Sequence, residues 1–241
     1  MRLLNRLIEG LLKLLFPERC LNCHKITPLK YFCKNCRDVA AYINVKTCYD
    51  CGLPNKYCAC KWNFYYFDEI ISCFETDEAT KRSFYSFKFG GERWSGSFFS
   101  AEMAKRVKIH PLYWDIDVIT SVPCHSSTLR ERGYDQVKVL AKDISKKLKI
   151  KYSPLLCQPK KSPKQHESEN IADRFLNVSG KYRIRKNADV KDKIVLLVDD
   201  IKTTGATLSQ CARELKLAGA DKVIVVTALT VYPKKDLVEK E

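Results

Sequence analysis

Residues 195–207 read VLLVDDIKTTGAT, an apolar run, two adjacent aspartates and a turn of threonine and glycine. The apolar run predicts a buried strand from Ile194 to Val198 that delivers Asp199 and Asp200 to its carboxyl end. Lys202, Thr203, Thr204, Gly205, Ala206 and Thr207 then turn into a helix N-terminus. Backbone N–H groups, hydroxyls and the helix dipole make such a turn a monophosphate site. Carboxylates about one ribose away can accept hydrogen bonds from the 2′ and 3′ hydroxyls, so the combination fits a ribose 5-phosphate. A strand-to-helix turn with a capping acid explains one aspartate, but not both together with the threonine-rich loop.

The second chemical signal is cysteine spacing. Cys20-x2-Cys23, Cys33-x2-Cys36, Cys48-x2-Cys51 and Cys58-x-Cys60 crowd one stretch of a chain with 12 cysteines. Two thiolates on one tight turn can face a single Zn²⁺, and a second knuckle closes a tetrahedral shell. Gly52 suits the turn after Cys51. Zinc is favoured over disulfides, with metal as the main source of stability for so short a segment. The pairing stays open among sequential use (Cys20, Cys23, Cys33, Cys36; then Cys48, Cys51, Cys58, Cys60), an interleaved arrangement, and one ion with spare cysteines. His24 is read as a surface histidine beside Cys23, although it could substitute as a ligand. Cys73, Cys124, Cys157 and Cys211 are isolated and read as buried thiols.

The elements that must position these residues alternate between strand and helix. A strand is predicted over Asp68–Glu75, a helix ending at Gly90-Gly91, a second helix before Pro111, a strand in DIDVITSVP, and an amphipathic helix with Val137, Leu140, Ala141, Ile144 and Leu148 inward. Gln158–Lys181 is polar and weakly periodic, and reads as a mobile loop. The strand KIVLLVDD, a helix stopped by Gly219 and the strand KVIVVTALT complete an α/β pattern. Such alternation implies a mainly parallel sheet with ligands at the carboxyl ends of its strands. The chain divides into residues 1–62, an amphipathic helix plus cysteine module, and residues 63–241, an α/β domain.

Lys and Arg number 43 against 28 for Asp and Glu, a formal charge of +15. That excess favours polyanionic partners, nucleic acid or phosphorylated small molecules. Lys142–Lys151 reads as a solvated helix face; Lys160–Lys164 and Lys181–Lys186 form further clusters. The N-terminal segment carries Leu3, Leu4, Leu7, Leu11, Leu14 and Leu15 at helical spacing with Arg2, Arg6 and Lys13 opposite. It is a docking helix or, alternatively, a basic membrane-surface helix. No transmembrane run or cleavable signal is expected, which places the chain in the cytoplasm, with the inner membrane face as an optional contact.

VLLVDDIKTTGAT resembles the phosphoribosyl-pyrophosphate (PRPP) motif of type I phosphoribosyltransferases. The resemblance implies ribose contacts, and hence the catalytic role, for Asp199 and Asp200, and a 5′-phosphate loop from Thr203 to Thr207. LLFPERC, the paired cysteines, FKFGGER, SVPCHSSTLRERGYDQ and KQHESENIADRFLNVSGKYRI follow in the order of the ComF/GntX family, over nearly the whole chain. Membership implies a type I phosphoribosyltransferase-like, mainly parallel sheet behind a zinc ribbon-like module. It also implies a role in natural transformation, handling incoming single-stranded DNA together with DNA-uptake proteins. Val122, Pro123, Cys124 and His125 match the pyrophosphate loop; Gln165, Arg174 and Asn177 match a closing hood. The chain departs from the family at Ser121, where Pro is usual, and at Asp135, where Asn is usual; an Asp135–Arg132 ion pair is one expectation.

Three function classes follow. A transferase needs Mg²⁺ on the pyrophosphate and carboxylates against a cationic ribose, yet no nucleobase pocket is legible beyond the lone ring of Tyr232. A DNA-uptake factor with a PRPP-competent site accounts for the charge and is the favoured reading; a PRPP-sensing regulator is the third. DNA contacts are expected from Lys81, Arg82, Lys88, Arg93, Lys181, Arg183, Arg185 and Lys186, with a smaller share from Tyr65, Tyr66, Phe87, Phe89 and Trp94.

Overall fold

The computed structural model describes residues 17–232 apart from 18, 30, 38–41, 44, 59, 61–64, 90–92 and 159–179. The expected N-terminal amphipathic helix, the hood residues Gln165, Arg174 and Asn177, and nearly all of the expected mobile loop lie outside the described residues. So do the side chains of Phe87, Lys88, Phe89, Arg93, Trp94 and Arg132.

A parallel four-stranded sheet carries the fold, in the order β1 (Glu69–Glu75), β6 (Lys222–Thr230), β5 (Ile194–Lys202), β2 (Val118–Ser121). Ile194 to Lys202 runs beside Lys222 to Thr230 in register, and Ser121 pairs with Val198. The central strands are almost continuously apolar because helices cover both faces. On one face Leu196, Val198, Ile224 and Val226 pack with Phe84 of α2 (Glu78–Phe89), Phe98, Phe99 and Met103 of α3 (Arg93–Lys108), and Leu140 and Ile144 of α5 (Gln136–Leu148). On the other, Val195, Leu197, Val223 and Val225 meet Leu208, Cys211 and Leu215 of α6 (Ala206–Leu217). All five apolar positions read for α5 are buried. Asp135 caps that helix, its carboxylate accepting the Lys138 N–H at 2.9 Å.

An antiparallel pair, β3 (Leu156–Cys157) with β4 (Arg183–Ile184), flanks the sheet. The sequence reading missed it because two-residue strands carry no period. The four isolated cysteines divide: Cys73 and Cys211 are buried as expected, whereas Cys124 and Cys157 are only partly buried. Cys157 belongs to the β3–β4 pair, whose partner strand leaves its sulfur near the surface, and Cys124 lies in the loop after β2.

The cysteine module shares the main core. Cys20, Leu21 and Phe32 belong to the same buried cluster as Phe98 and Phe99. The Phe98 ring meets Phe32 edge-on at 5.0 Å and lies 5.2 Å from Tyr31 and 5.6 Å from Phe74. Ile43 donates to the Cys73 carbonyl at 3.1 Å and Ile70 to the Tyr49 carbonyl at 2.9 Å, so module backbone covers the open edge of β1. Burial as well as metal therefore stabilises this segment. Phe98→Ala is expected to destabilise the protein by about 3–5 kcal/mol and to lower the urea midpoint of one cooperative transition. A separate, unaffected transition for the cysteine module would contradict the shared core.

Candidate functional site

Asp199 and Asp200 sit near the carboxyl end of β5, 8% and 9% exposed. The strand does not stop at Val198 as read from sequence but pairs with β6 as far as Lys202, so Lys202 belongs to the strand and not to the turn. Alternation along a strand sends neighbours to opposite faces, and the pair straddles the strand end. Asp200 Oδ2 accepts from Gln136 Nε2 at 3.2 Å on the α5 side, while Asp199 exerts its charge on Tyr182 and Cys211 on the α6 side. The side chains are fixed by backbone donors: Asp199 Oδ1 accepts the Asp200 N–H at 2.8 Å and Asp200 Oδ1 the Ile201 N–H at 2.7 Å.

Gln136 was not among the expected site residues. It is 4% exposed, and its Oε1 has no hydrogen-bond partner among the described residues. A buried acceptor beside a fixed carboxylate is a place for a hydroxyl donor. The signal was present in the sequence, since Gln136 shares the i, i+4 stripe of Leu140, Ile144 and Leu148.

Thr203 to Thr207 form the turn into α6. Gly205 has φ 81° as the N-cap and offers no side-chain cap, while Thr204 Oγ1 accepts the Ala206 N–H at 3.4 Å. A Cβ at Gly205 would lie 2.8 Å from the Tyr65 ring, so both conformation and space require glycine. Tyr65 stacks on Phe67 at 4.7 Å and donates its hydroxyl to the Thr204 carbonyl at 2.9 Å. It is thus a brace behind the loop, not a free stacking ring; Tyr66 is exposed and its N–H bonds Ser209 Oγ at 3.1 Å. Thr203 is exposed, Thr204 and Thr207 are half-buried, and Lys202 is 3% exposed.

Val122 to His125 leave β2 beside this site, tied by the Val122 N–H to the Val198 carbonyl at 3.0 Å. His125 Nδ1 accepts the Ser127 N–H at 3.1 Å and so caps α4 (Ser126–Arg132). Ser121 Oγ lies 3.1 Å from the Tyr152 hydroxyl. The basic residues are not gathered on one face. Lys81 and Arg82 ride on α2, whose Phe84 packs on the α3–α5 side of the sheet. Lys181, Arg183, Arg185 and Lys186 lie in or beside β4, whose Ile184, with the preceding Tyr182, joins the α6 side. Arg183, Arg185 and Lys186 are exposed, with Arg185 Nε also bonding the Leu156 carbonyl at 3.0 Å.

The cysteines pair sequentially. Cys20, Cys23, Cys33 and Cys36 form one tetrad and Cys48, Cys51, Cys58 and Cys60 another, with the sulfurs of each within 4.8 Å of one another. A tetrahedron with Zn–S bonds of about 2.3 Å has edges of about 3.8 Å. The observed contacts are 3.8 Å for Cys23–Cys33, 3.6 Å for Cys48–Cys60 and 3.8 Å for Cys51–Cys58. The two knuckles repeat one turn: His24 donates to the Cys20 carbonyl at 2.9 Å and Gly52 to the Cys48 carbonyl at 2.8 Å. His24 and Gly52 both adopt positive φ, 57° and 70°. His24 is therefore a turn residue outside the tetrad. Burial opposes ionisation of Cys20, but backbone hydrogen bonds from Cys23, Cys33 and Asn22 bring its thiol down to about 6. Those are the outer donors a thiolate ligand needs. Elemental analysis of purified protein is expected to give two zinc ions per chain, one for each tetrad. Cys33→Ser is expected to remove one of them and lower the melting temperature. One zinc in the unmodified chain would contradict the sequential pairing.

Residues 138–241 match the phosphoribosyl transferase domain and residues 11–63 the double zinc ribbon domain. The competence protein ComFC of Streptococcus pneumoniae R6 is 28% identical over 150 residues, 62% of this chain and 63% of that protein, so the match spans less than two thirds of that relative. ComFC of Bacillus subtilis 168 is 24% identical over 218 residues, 86% and 85% of the two chains. Among solved structures, a glutamine PRPP amidotransferase from B. subtilis aligns at 21% identity with a TM-score of 0.38, covering 55% of this chain and 25% of that one. The chain is thus similar to the ComFC proteins, with a match to a double zinc ribbon domain preceding a match to a phosphoribosyl transferase domain.

Proposed function

We propose that the chain binds PRPP as its Mg²⁺ complex at the carboxyl edge of β5 and serves natural transformation by handling incoming single-stranded DNA. The observation that carries the ligand reading is the buried Gln136 Oε1, without a donor beside Asp200 and next to the phosphate loop. A ribose hydroxyl supplies the donor that Gln136 lacks, and the carboxylates of Asp199 and Asp200 accept from the diol. The start of α6, with no side-chain cap from Gly205 and no acid in its first turn, suits the 5-phosphate. Val122–His125 are near enough along the sheet edge to meet the pyrophosphate, whose charge Mg²⁺ would share. Fixed carboxylates there also suit a cationic ribose, so turnover of PRPP with and without a single-stranded DNA acceptor separates transfer from binding.

A ligand that binds only the folded state raises its melting temperature by mass action, about 2.7 kcal/mol at one hundred times Kd. PRPP with Mg²⁺ is expected to raise the melting temperature, and Asp199→Ala, Asp200→Ala or Gln136→Leu to diminish that rise. Pyrophosphate alone is expected to do less. Equal shifts in all four proteins would make the acids and Gln136 structural only.

The transformation reading draws on the ComFC relatives and on the +15 charge. If about five phosphates are neutralised, the log affinity for single-stranded DNA falls with log salt at a slope near −3.5, roughly 0.7 per contact. Arg183→Glu with Lys186→Glu removes two contacts and is expected to flatten the slope by about 1.4, leaving PRPP stabilisation intact. Fluorescence anisotropy across a salt series measures both, and salt-insensitive binding would contradict this reading.

A further inference from the structure

The turn that leads into β2 holds an aromatic ring out to solvent. Trp114 is 86% exposed and Ile109 78% exposed, although the backbone that carries them is fastened. Pro111–Asp115 forms a 3₁₀ turn in which His110 Nδ1 accepts the Leu112 N–H at 3.3 Å, while His110 Nε2 lies 2.9 Å from Glu69 Oε2. The Tyr113 ring sits 4.7 Å from the Trp114 ring, and its hydroxyl donates to the Leu148 carbonyl at 3.4 Å, at the end of α5. None of these bonds uses the Trp114 side chain. A lone exposed apolar residue is ordinary; an indole on a braced turn with cations beside it calls for a ligand.

Lys108 ends α3 just before Ile109, and Lys149 and Lys151 follow Leu148, whose carbonyl Tyr113 holds. These lysines are exposed, and among the described residues none has a carboxylate within ion-pair distance. The carboxylates on this edge are Asp115 and Asp117, and Asp117 Oδ2 accepts the Ile194 N–H at 2.8 Å. From Lys151 the chain runs along the outer side of β2. The Lys151 carbonyl accepts the Ile119 N–H at 2.9 Å, the Ser153 N–H reaches the Ile119 carbonyl at 2.9 Å, and the Leu155 N–H reaches the Thr120 hydroxyl at 3.1 Å. The Leu155 carbonyl accepts the Arg185 N–H at 2.8 Å, which brings the exposed Arg183, Arg185 and Lys186 to the same flank. Cations thus start beside Trp114 and continue up the outside of β2. Bases stack on an open ring while phosphates follow a line of cations, so the arrangement fits a single strand. Anionic lipid also suits tryptophan with lysine, but these cations extend along one flank and Asp115 adjoins the indole. We propose that Trp114 is a stacking platform for a base of single-stranded DNA, with Lys149, Lys151, Arg183 and Arg185 carrying its phosphates along β2. This rests on the reading that the protein handles single-stranded DNA, and it gives the strand an entry at the amino end of the sheet, opposite the edge that holds Asp199 and Asp200.

Fluorescence anisotropy of the full-length zinc-loaded chain, with a labelled oligo(dT) strand and an abasic strand of the same length, tests this. Trp114→Ala is expected to weaken oligo(dT) binding by at least about five-fold, the value of one stacked base, and Trp114→Phe to restore most of it. The abasic strand is expected to bind Trp114→Ala and the unmodified chain alike. Lys149→Gln with Lys151→Gln is expected to flatten the salt slope by about 1.4, whereas Trp114→Ala leaves the slope unchanged. Equal affinity of Trp114→Ala and the unmodified chain for oligo(dT), or an equal loss on the abasic strand, would overturn the platform while leaving DNA handling in place. Absence of any DNA binding by the unmodified chain would overturn both readings. Phosphatidylglycerol vesicles form the last arm. Vesicle binding that Trp114→Ala and Ile109→Ser abolish, with oligo(dT) binding untouched, would assign the surface to lipid and overturn the platform.

Discussion

Between Asp199 and Lys202 the chain buries two carboxylates and an ammonium within four consecutive residues. An unpaired buried charge is worth several kcal/mol of instability, so the surroundings of this strand end are constrained more tightly than any apolar layer. The carboxylates are held by the N–H groups of Asp200 and Ile201 and by Gln136. The Lys202 side chain passes beside the Tyr65 ring, its Cε 3.5 Å from the place a Cβ at Gly205 would take. The partners come from different parts of the chain: the strand itself and the first residue of α5. The elements that meet at this edge do so because the charges there cannot be left alone.

This view changes what the zinc ribbon is for. A small cysteine module is ordinarily stabilised by its metal alone, yet here Leu21 and Phe32 enter the main core and module backbone seals the edge of β1. The ribbon is built into the phosphoribosyl transferase fold at two points with different consequences. The first knuckle fastens to α3 through Phe32 and Tyr31. The second packs through Gly52 against Ile70 and Ser72 of β1.

Much of this arrangement was legible in the sequence, for physical reasons that also explain the gaps. The long strands and α5 were readable because burial on one or both faces imposes a period or a continuous apolar run. The acids and the glycine–threonine turn were readable because a parallel sheet presents such residues at its carboxyl edge. Thiolate spacing gave the metal, but only three-dimensional proximity separated sequential from interleaved pairing. Gln136 was overlooked, although it continues the Leu140–Ile144–Leu148 stripe, because a polar residue opening a helix looks like an ordinary end residue until its burial is known. Tyr65 was read as a minor stacking contributor because an aromatic run does not reveal which ring faces inward. The β3–β4 pair was missed because two residues cannot display alternation, and the basic clusters at 81–82 and 181–186 fell on opposite faces of the sheet because net charge carries no direction.

The central claim is that the strand end, Gln136 and the phosphate loop together form one site for PRPP. A crystal structure of the zinc-loaded protein grown with Mg²⁺ and PRPP tests it most directly. The account expects the 5-phosphate on the N–H groups of the turn from Thr203 to Thr207 and a ribose hydroxyl within hydrogen-bond distance of Gln136 Oε1 and the Asp200 carboxylate. PRPP bound elsewhere, or bound with its ribose hydroxyls turned to solvent and Gln136 Oε1 still without a donor, would contradict it.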